Sequence, residues 1–340
     1  MKVALLALAL VLSACGGGGG GGGGGTTGVT PQPTQALSIN ETNAKPVSAN
    51  ALDAAQNTSA TKGAASPLGV QVDTAGGGTP TLQAIAEAAR LASGAFSAST
   101  LPRGVVVSET DSCTLGGTLA ISGNVASSAG LSTGDSFTLT MTNCALSVGT
   151  STAVMSGSLT MTVAGGSLTG IPFHVVLAVT ATNLSVTTGG VSVVSNGDTR
   201  LDWTANSATS QTLIASGTSM SSRETINGGT HTTTMRNFSQ TLVINGNTNT
   251  STVSGTVETD SSKLGTGTVS YTISTPTPVT WDSATHLATA GAIKIVGANN
   301  TQLLVTVNAD SSVSIQLDAN GDGVYEKTVT STTAELAGLV

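Results

Sequence analysis

From Gly104 onward, apolar and polar residues take turns. Phe137, Leu139 and Met141 are separated by Thr138, Thr140 and Thr142. Leu159, Met161 and Val163 follow the same beat, as do Phe173, Val175, Leu177 and Val179. Leu201 with Trp203, Leu242 with Ile244, and Val269-Tyr271-Ile273 continue it. Alternation with period two predicts strands that bury one face and wet the other. Glycine-rich dipeptides punctuate the runs at Gly165-Gly166, Gly189-Gly190, Asn196-Gly197, Asn227-Gly228 and Asn245-Gly246. Such pairs supply the positive φ of tight hairpins, so each is read as a turn.

The C-terminal part has the shortest connections. Ile293 with Ile295, Leu303-Val305-Val307, Val313-Ile315-Leu317, and Tyr325 with Val329 predict successive strands. Short links join antiparallel neighbours, because parallel crossovers need a dozen residues or more. No helical pattern alternates with the strands, which excludes an α/β fold. The expected class is all-β: a large, mainly antiparallel meander sheet curled into a sandwich or an open barrel. Pro276 and Pro278 are read as a break between a β domain at 104–275 and a C-terminal meander at 276–340, unless the sheet runs on through them.

The stretch before the strands has a different texture. Residues 15–78 are mostly Gly, Ser, Thr, Ala, Asn and Pro without periodicity, which predicts a disordered tether. Within it, Ser48 to Asn57 has at most weak helical character. Residues 79–103 are read as a short helix and linker. Thr79 is a cap, Pro80 the first helical position and Gly94 the stop, with Leu82, Ile85, Ala86 and Ala89 on one stripe.

Composition narrows the function. Charged residues make up only 9% and aromatics 2%, and the net charge is −7. No basic cluster follows Lys2, so nothing neutralises a phosphate backbone, and nucleic acid is excluded as a partner. Two Trp and two Tyr are too few for the aromatic girdles of an outer-membrane barrel.

The start of the chain is more specific. Lys2 precedes an apolar run from Val3 to Leu12, too short for a permanent membrane helix but suited to an export signal. The run leads into Leu12-Ser13-Ala14-Cys15. Here the chain resembles bacterial lipoproteins, whose signal ends in Leu, two small residues and Cys. The resemblance implies a signal peptide over 1–14, a diacylglyceryl thioether on Cys15, and fatty acylation, such as palmitate, of the new amino terminus. Gly16 stands where an Asp often retains such proteins in the inner membrane, so the resemblance implies the outer membrane.

With Cys15 lipidated, Cys113 and Cys144 remain. In an oxidising compartment that pair is expected to form a disulfide.

Asp318-Ala319-Asn320-Gly321-Asp322-Gly323-Val324-Tyr325-Glu326 carries the best chemical signal. It resembles the first half of an EF-hand calcium loop. Asp318, Asn320 and Asp322 match the first ligand positions, Val324 offers a carbonyl, and Glu326 falls at the water-linked position. The closing bidentate Glu falls at Val329, so the candidate Ca²⁺ site needs oxygens from elsewhere. No other cofactor is indicated.

Gly134-Asp135-Ser136 resembles the nucleophile block of GDSL-type lipases in its letters. That block sits between a strand and a helix, whereas this one opens a strand. His174, His231 and His286 have no metal spacing. Trp203 and Trp281 are read as core residues.

The expected function is non-enzymatic: a lipid-anchored structural or interaction module of the cell envelope, with an envelope protein or polysaccharide as partner. The rivals are a carrier of a lipid or other apolar ligand in the curled sheet, which predicts a continuous cavity, and an envelope hydrolase, which predicts a His within reach of a Ser or Cys nucleophile with a carboxylate behind it.

Overall fold

The computed structural model describes residues 34–57, 105–126, 131–148, 151–168, 171–188, 191–207, 209–226, 229–246, 248–282, 287–337 and 339. Among them, one 16-stranded sheet runs through the molecule. Its first strands are β1 (Gln35–Ala36), β2 (Val105–Ser112), β3 (Thr118–Val125), β4 (Leu131–Ser132) and β5 (Ser136–Val148). The long strands are β6 (Ser151–Leu168), β7 (Phe173–Thr188), β8 (Val191–Ser207), β9 (Ser210–Ile226) and β10 (Gly229–Asn245). Then come β11 (Thr248–Thr259), β12 (Val269–Asp282), β13 (Ala288–Val296), β14 (Gln302–Val307), β15 (Ser312–Asp318) and β16 (Lys327–Thr332). Consecutive strands pair antiparallel from β5 to β16, with β3 and β2 beyond β5; the sheet is open, with β2 and β16 at its two ends. The all-β antiparallel meander expected from the alternation is what the chain forms.

The alternation also fixes the faces. Phe137, Leu139, Met141, Leu159, Met161 and Val175 lie inward and are at most 2% exposed. Their threonine neighbours lie outward, where the Thr138 and Thr160 hydroxyls meet at 3.0 Å.

The curl has a visible cause. Asn143, Asn183 and Asn237 sit inside β5, β7 and β10 with φ of 49°, 47° and 45°. At each, the register with a neighbouring strand slips: between Met141 and Cys144, Ala181 and Leu184, and Arg236 and Ser239. The buried positions change phase there, from Ala181 to Leu184 for example. On the strands beside them, β6, β8 and β11, stand Gly157, Gly197 and Gly255, also at positive φ. These bulges form a line across the sheet, and bulges bend and coil the strands that carry them. Asn tolerates the left-handed region better than other side chains, and its amide finds local partners. The Asn183 N–H donates to Asn196 Oδ1 at 2.7 Å, and the Asn143 N–H to Ser156 Oγ at 3.0 Å.

Two expected turns are therefore corrected. Asn196-Gly197 lies inside β8 and Gly165-Gly166 inside β6. Both mark places where the ladder jumps, because positive-φ glycine serves a bulge as well as a hairpin. Gly246, at φ 62°, does turn the chain between β10 and β11. Gly189-Gly190 and Asn227-Gly228 lie outside the described residues, as does the helix expected at 79–103.

The sheet continues through Pro276 and Pro278. Strand β12 carries both prolines, so the sheet is not broken at 276, although the buried residues gather in two clusters, one over 113–215 and one joining 37–55 to 235–336. Proline has no N–H to give, and the β11 ladder skips from Ser251–Val279 to Ser254–Ser274. The Thr275 hydroxyl fills the gap, accepting from the Val253 N–H at 2.8 Å and donating to the Val253 carbonyl at 3.0 Å.

Residues 34–57 correct the tether. Gln35–Ala36 pairs parallel with β12. Ala44–Asn57 forms α1, which packs against β11, β13, β14 and β15 and against α2 (Thr333–Ala337). From Val47 to Ala55, every residue except Asp53 is at most 9% exposed. A helix buried on all sides lies in a trough, and its small side chains (Ala49, Ala51, Ala54, Ala55) let the sheet close in around it. Fully burying Val47 or Leu52 contributes about 1.5–3 kcal/mol each. Its polar atoms are matched: the Tyr271 hydroxyl donates to Asn50 Oδ1, and Gln240 Nε2 to the Ala55 carbonyl at 3.1 Å.

Candidate functional site

Asp318 ends β15 and turns inward, with no exposed surface. Its carboxylate organises the following turn: Oδ1 accepts from the Gly321 N–H at 2.6 Å and Oδ2 from the Gly323 N–H at 2.8 Å. Asn320 Oδ1 accepts from the Asp322 N–H at 2.9 Å, and Asp322 Oδ1 from the Val324 N–H at 2.8 Å. Glu326 Oε2 reaches back to the Ala319 N–H at 3.3 Å. Gly321 and Gly323 take φ of 78° and 87°. A Cβ on Gly321 would stand 2.2 Å from the Asn299 carbonyl oxygen, so the turn is packed onto the neighbouring 298–300 turn.

The result is a convergence of acids. One oxygen each from Asp318, Asp322 and Glu326 lies within 4.8 Å of the others. Hard carboxylate oxygens suit Ca²⁺ or Mg²⁺ rather than a transition metal. Asn320 stays near through its Nδ2, which donates to Asp322 Oδ2 at 3.1 Å. Val324 is 61% exposed, and its N–H is the group that binds Asp322, which keeps its main chain beside the cluster. Val329 lies on β16 and packs against the core, so the position of the usual bidentate Glu cannot ligate. Tyr325, expected on a strand, lies in the turn before β16. Burial first, and then the Asp318 charge, push its phenol above the ordinary value.

Cys113 and Cys144 are bonded, with Cα atoms 5.3 Å apart. The bond joins the turn after β2 to β5. Beside it the Leu115 N–H donates to the Ala145 carbonyl at 3.0 Å, and the Ala145 N–H to Gly116 at 2.8 Å. Cys15 lies outside the described residues.

The other sequence signals have structural occupations. Asp135 is 2% exposed and accepts from the Ala126 and Ser132 N–H groups, each at 2.7 Å, so it clamps its own turn. The Ser136 hydroxyl meets the Thr162 hydroxyl at 3.0 Å. His174 Nε2 faces Asp202 at 2.9 Å on the outer face, and His231 Nε2 faces Glu224 at 3.3 Å directly across β9 and β10, on the face that Met235 and Met220 share. His286 lies outside the described residues. Trp203 and Trp281 are buried, donating to Gln211 Oε1 at 3.1 Å and Ser251 Oγ at 2.8 Å.

Compared with family models, curated proteins and solved structures, the chain matches none. Among the described residues, no helix is long and apolar enough to cross a membrane.

Proposed function

We propose that this chain is an exported protein, held to the outer membrane through lipid on Cys15, whose β body serves the cell envelope as a non-enzymatic structural or interaction module. The observation that carries this reading is the Cys113–Cys144 bond, set beside the Leu12-Ser13-Ala14-Cys15 signal. Disulfides persist in compartments reached by export. A dense outer face of threonine and serine, low in charge, suits a body that meets other envelope components without chemistry of its own. The trough of the C-terminal half is filled by α1, which speaks against an apolar ligand there.

The same reading includes Ca²⁺ at the Asp318–Glu326 turn, held by Asp318, Asn320, Asp322, the Val324 carbonyl and Glu326. The cation would relieve the mutual repulsion of three converging carboxylates. The anchor is tested by growing cells with labelled palmitate: the native chain takes up label and Cys15→Ala does not. Label on the mutant, or native chain in the soluble fraction, overturns it. Millimolar Ca²⁺ is expected to raise Tm; an unchanged Tm removes the cation from the reading.

A further inference from the structure

The two ends of the open sheet fit each other. Among the described residues, β2 pairs with β3 alone and β16 with β15 alone, so each turns one row of main-chain donors and acceptors outward. Every pair on the path between them is antiparallel. With β1 and β4 off that path, an even number of strands remains, so β2 and β16 run in opposite directions. Set edge to edge with the buried faces on one side, β16 of one copy therefore lies antiparallel to β2 of the next.

The residues match across that joint. Lys327 and Val329 pair with Leu317 and Ile315, and positions 109 and 111 pair with Ile121 and Leu119, so all four positions belong to the buried face. At the two edges that face is open, and Lys327 and Asp111 are exposed. Registers that set Lys327 opposite Asp111 or opposite Glu109 give it one acid directly across and the other on the diagonal. The Lys327 ammonium also meets Glu41, and an ammonium has donors left for a second carboxylate. Sliding β2 further toward the 318–326 turn sets its acids against Asp322 and Glu326, so like charge rejects those registers. Two β2 edges together bring four carboxylates to one joint, which favours unlike edges. The apolar residues agree. Leu115, 54% exposed, stands three residues past the end of β2, and Val324, 61% exposed, three residues before the start of β16. They are the two most exposed large apolar side chains among the described residues. An antiparallel joint lays the end of β2 beside the start of β16 and brings these two together. The Cys113–Cys144 bond holds the Leu115 turn in place for that contact.

We propose that this chain associates with copies of itself head to tail, β16 of one copy adding to β2 of the next, so that one sheet runs from molecule to molecule. The joint uses two different edges, so each added copy leaves one of each free, and the assembly grows as a filament or closes as a ring. The main-chain ladder and the contact of Leu115 with Val324 supply the affinity, and Lys327 with the acids of β2 sets the register. This goes beyond the anchored-module reading and does not depend on lipid at Cys15.

The test uses the purified full chain in nonionic detergent, which takes up any lipid on Cys15. Sedimentation across a range of concentrations should show species larger than one copy; single copies throughout overturn the proposal. Lys327→Glu is expected to weaken association several-fold, and Asp111→Lys added to it to restore most of the loss. Association indifferent to Lys327→Glu overturns this joint. Should Lys327→Glu unfold, Asp111→Lys alone is expected to weaken association in its place, with the same reading of an unchanged result. Ser108→Cys and Thr330→Cys mark exposed positions on β2 and β16. A short bismaleimide should link a mixture of the two variants into pairs holding one of each, and should link neither variant alone. Cys113 and Cys144 are bonded, and the native chain serves as the blank. Linked pairs from Ser108→Cys alone, or none from a mixture that associates, overturn the head-to-tail contact.

Discussion

The carbonyl oxygen of Asn183 stands 2.2 Å from where a Cβ on Gly157 would be. Asn183 supplies the inserted residue of a bulge in β7, and Gly157, at φ 109°, lets β6 pass close beneath it. Gly157→Ala therefore meets two obstacles at once, an unfavourable φ and a backbone clash. It is expected to lower stability by about 2–4 kcal/mol. Gly116→Ala shares the positive φ, at 122°, but has nothing within 4 Å of the new methyl, and should cost only about 1 kcal/mol. Urea midpoints of the two variants check the difference; equal midpoints would contradict the role given to the bulge line.

Asn183→Val keeps a side chain at φ 47° but removes the tolerance for it and places a branched carbon there. A loss of about 1–2 kcal/mol is expected, against little change for Asn183→Gly. Thermal unfolding of both variants provides the comparison.

Closing a loop across a sequence separation of 31, the Cys113–Cys144 bond should stabilise by about 3–4 kcal/mol. The paired change to Ala is expected to shift the denaturation midpoint by that amount and to abolish its sensitivity to reductant. Intact-mass measurement with and without alkylation of the unfolded, unreduced native chain should find neither thiol free.

Tyr271 is buried, and its hydroxyl donates to Asn50 Oδ1 on α1. Tyr271→Phe leaves that oxygen without its donor and should cost about 1–3 kcal/mol. Burial, with a smaller push from the Asp53 charge, raises the phenol above its ordinary value. The folded protein thus keeps a proton that the unfolded chain releases above about pH 10. Stability from this group is complete below that pH. It falls as pH rises beyond it, by up to about 1.4 kcal/mol per pH unit. Urea midpoints between pH 9 and 11 should drop more steeply in the native chain than in Tyr271→Phe.

At the acidic turn the two carboxylates that begin and continue the motif separate structure from cation. Asp318→Asn weakens acceptors for two backbone amides and should lower stability by about 1–2 kcal/mol with or without Ca²⁺. Asp322 is exposed, and Asp322→Asn should leave the cation-free Tm nearly unchanged while removing the Ca²⁺-dependent rise. Paired melting curves in chelator and in millimolar Ca²⁺ read both effects.

Much of the sheet was legible because each strand buries one face. Leu159, Met161 and Val163 announce β6 without help from anything distant. The bulges were legible in part: the apolar beat passes from Met141 to Cys144, and from Val179 and Ala181 to Leu184, skipping one place each time. What misled was glycine, since Asn196-Gly197 satisfies the same backbone demand in mid-strand as at a hairpin tip. Helix α1 was hidden for the opposite reason. An amphipathic stripe marks a helix with one buried face, whereas Ala44 to Ala55 is enclosed on nearly every side and shows only a run of small residues. At the acidic turn, spacing revealed Asp318, Asn320, Asp322 and Glu326. It could not reveal the packing of Gly321 on Asn299, which depends on a strand pair distant in the chain.

The pairing of α1 with the last strands has a bearing on how the molecule is made. Ile39 bonds to Thr301 across 262 residues, Tyr271 to Asn50 across 221, and Lys45 to Glu335 across 290. Helix α1 is therefore made long before the last strands that cover it, and of its partners only those on β10, β11 and β12 come ahead of the final hairpins. A nascent polypeptide halted before β13 would carry a helix held only from the β10–β12 side and an unroofed groove. Quality control that samples either one could discard unfinished copies before they reach their destination.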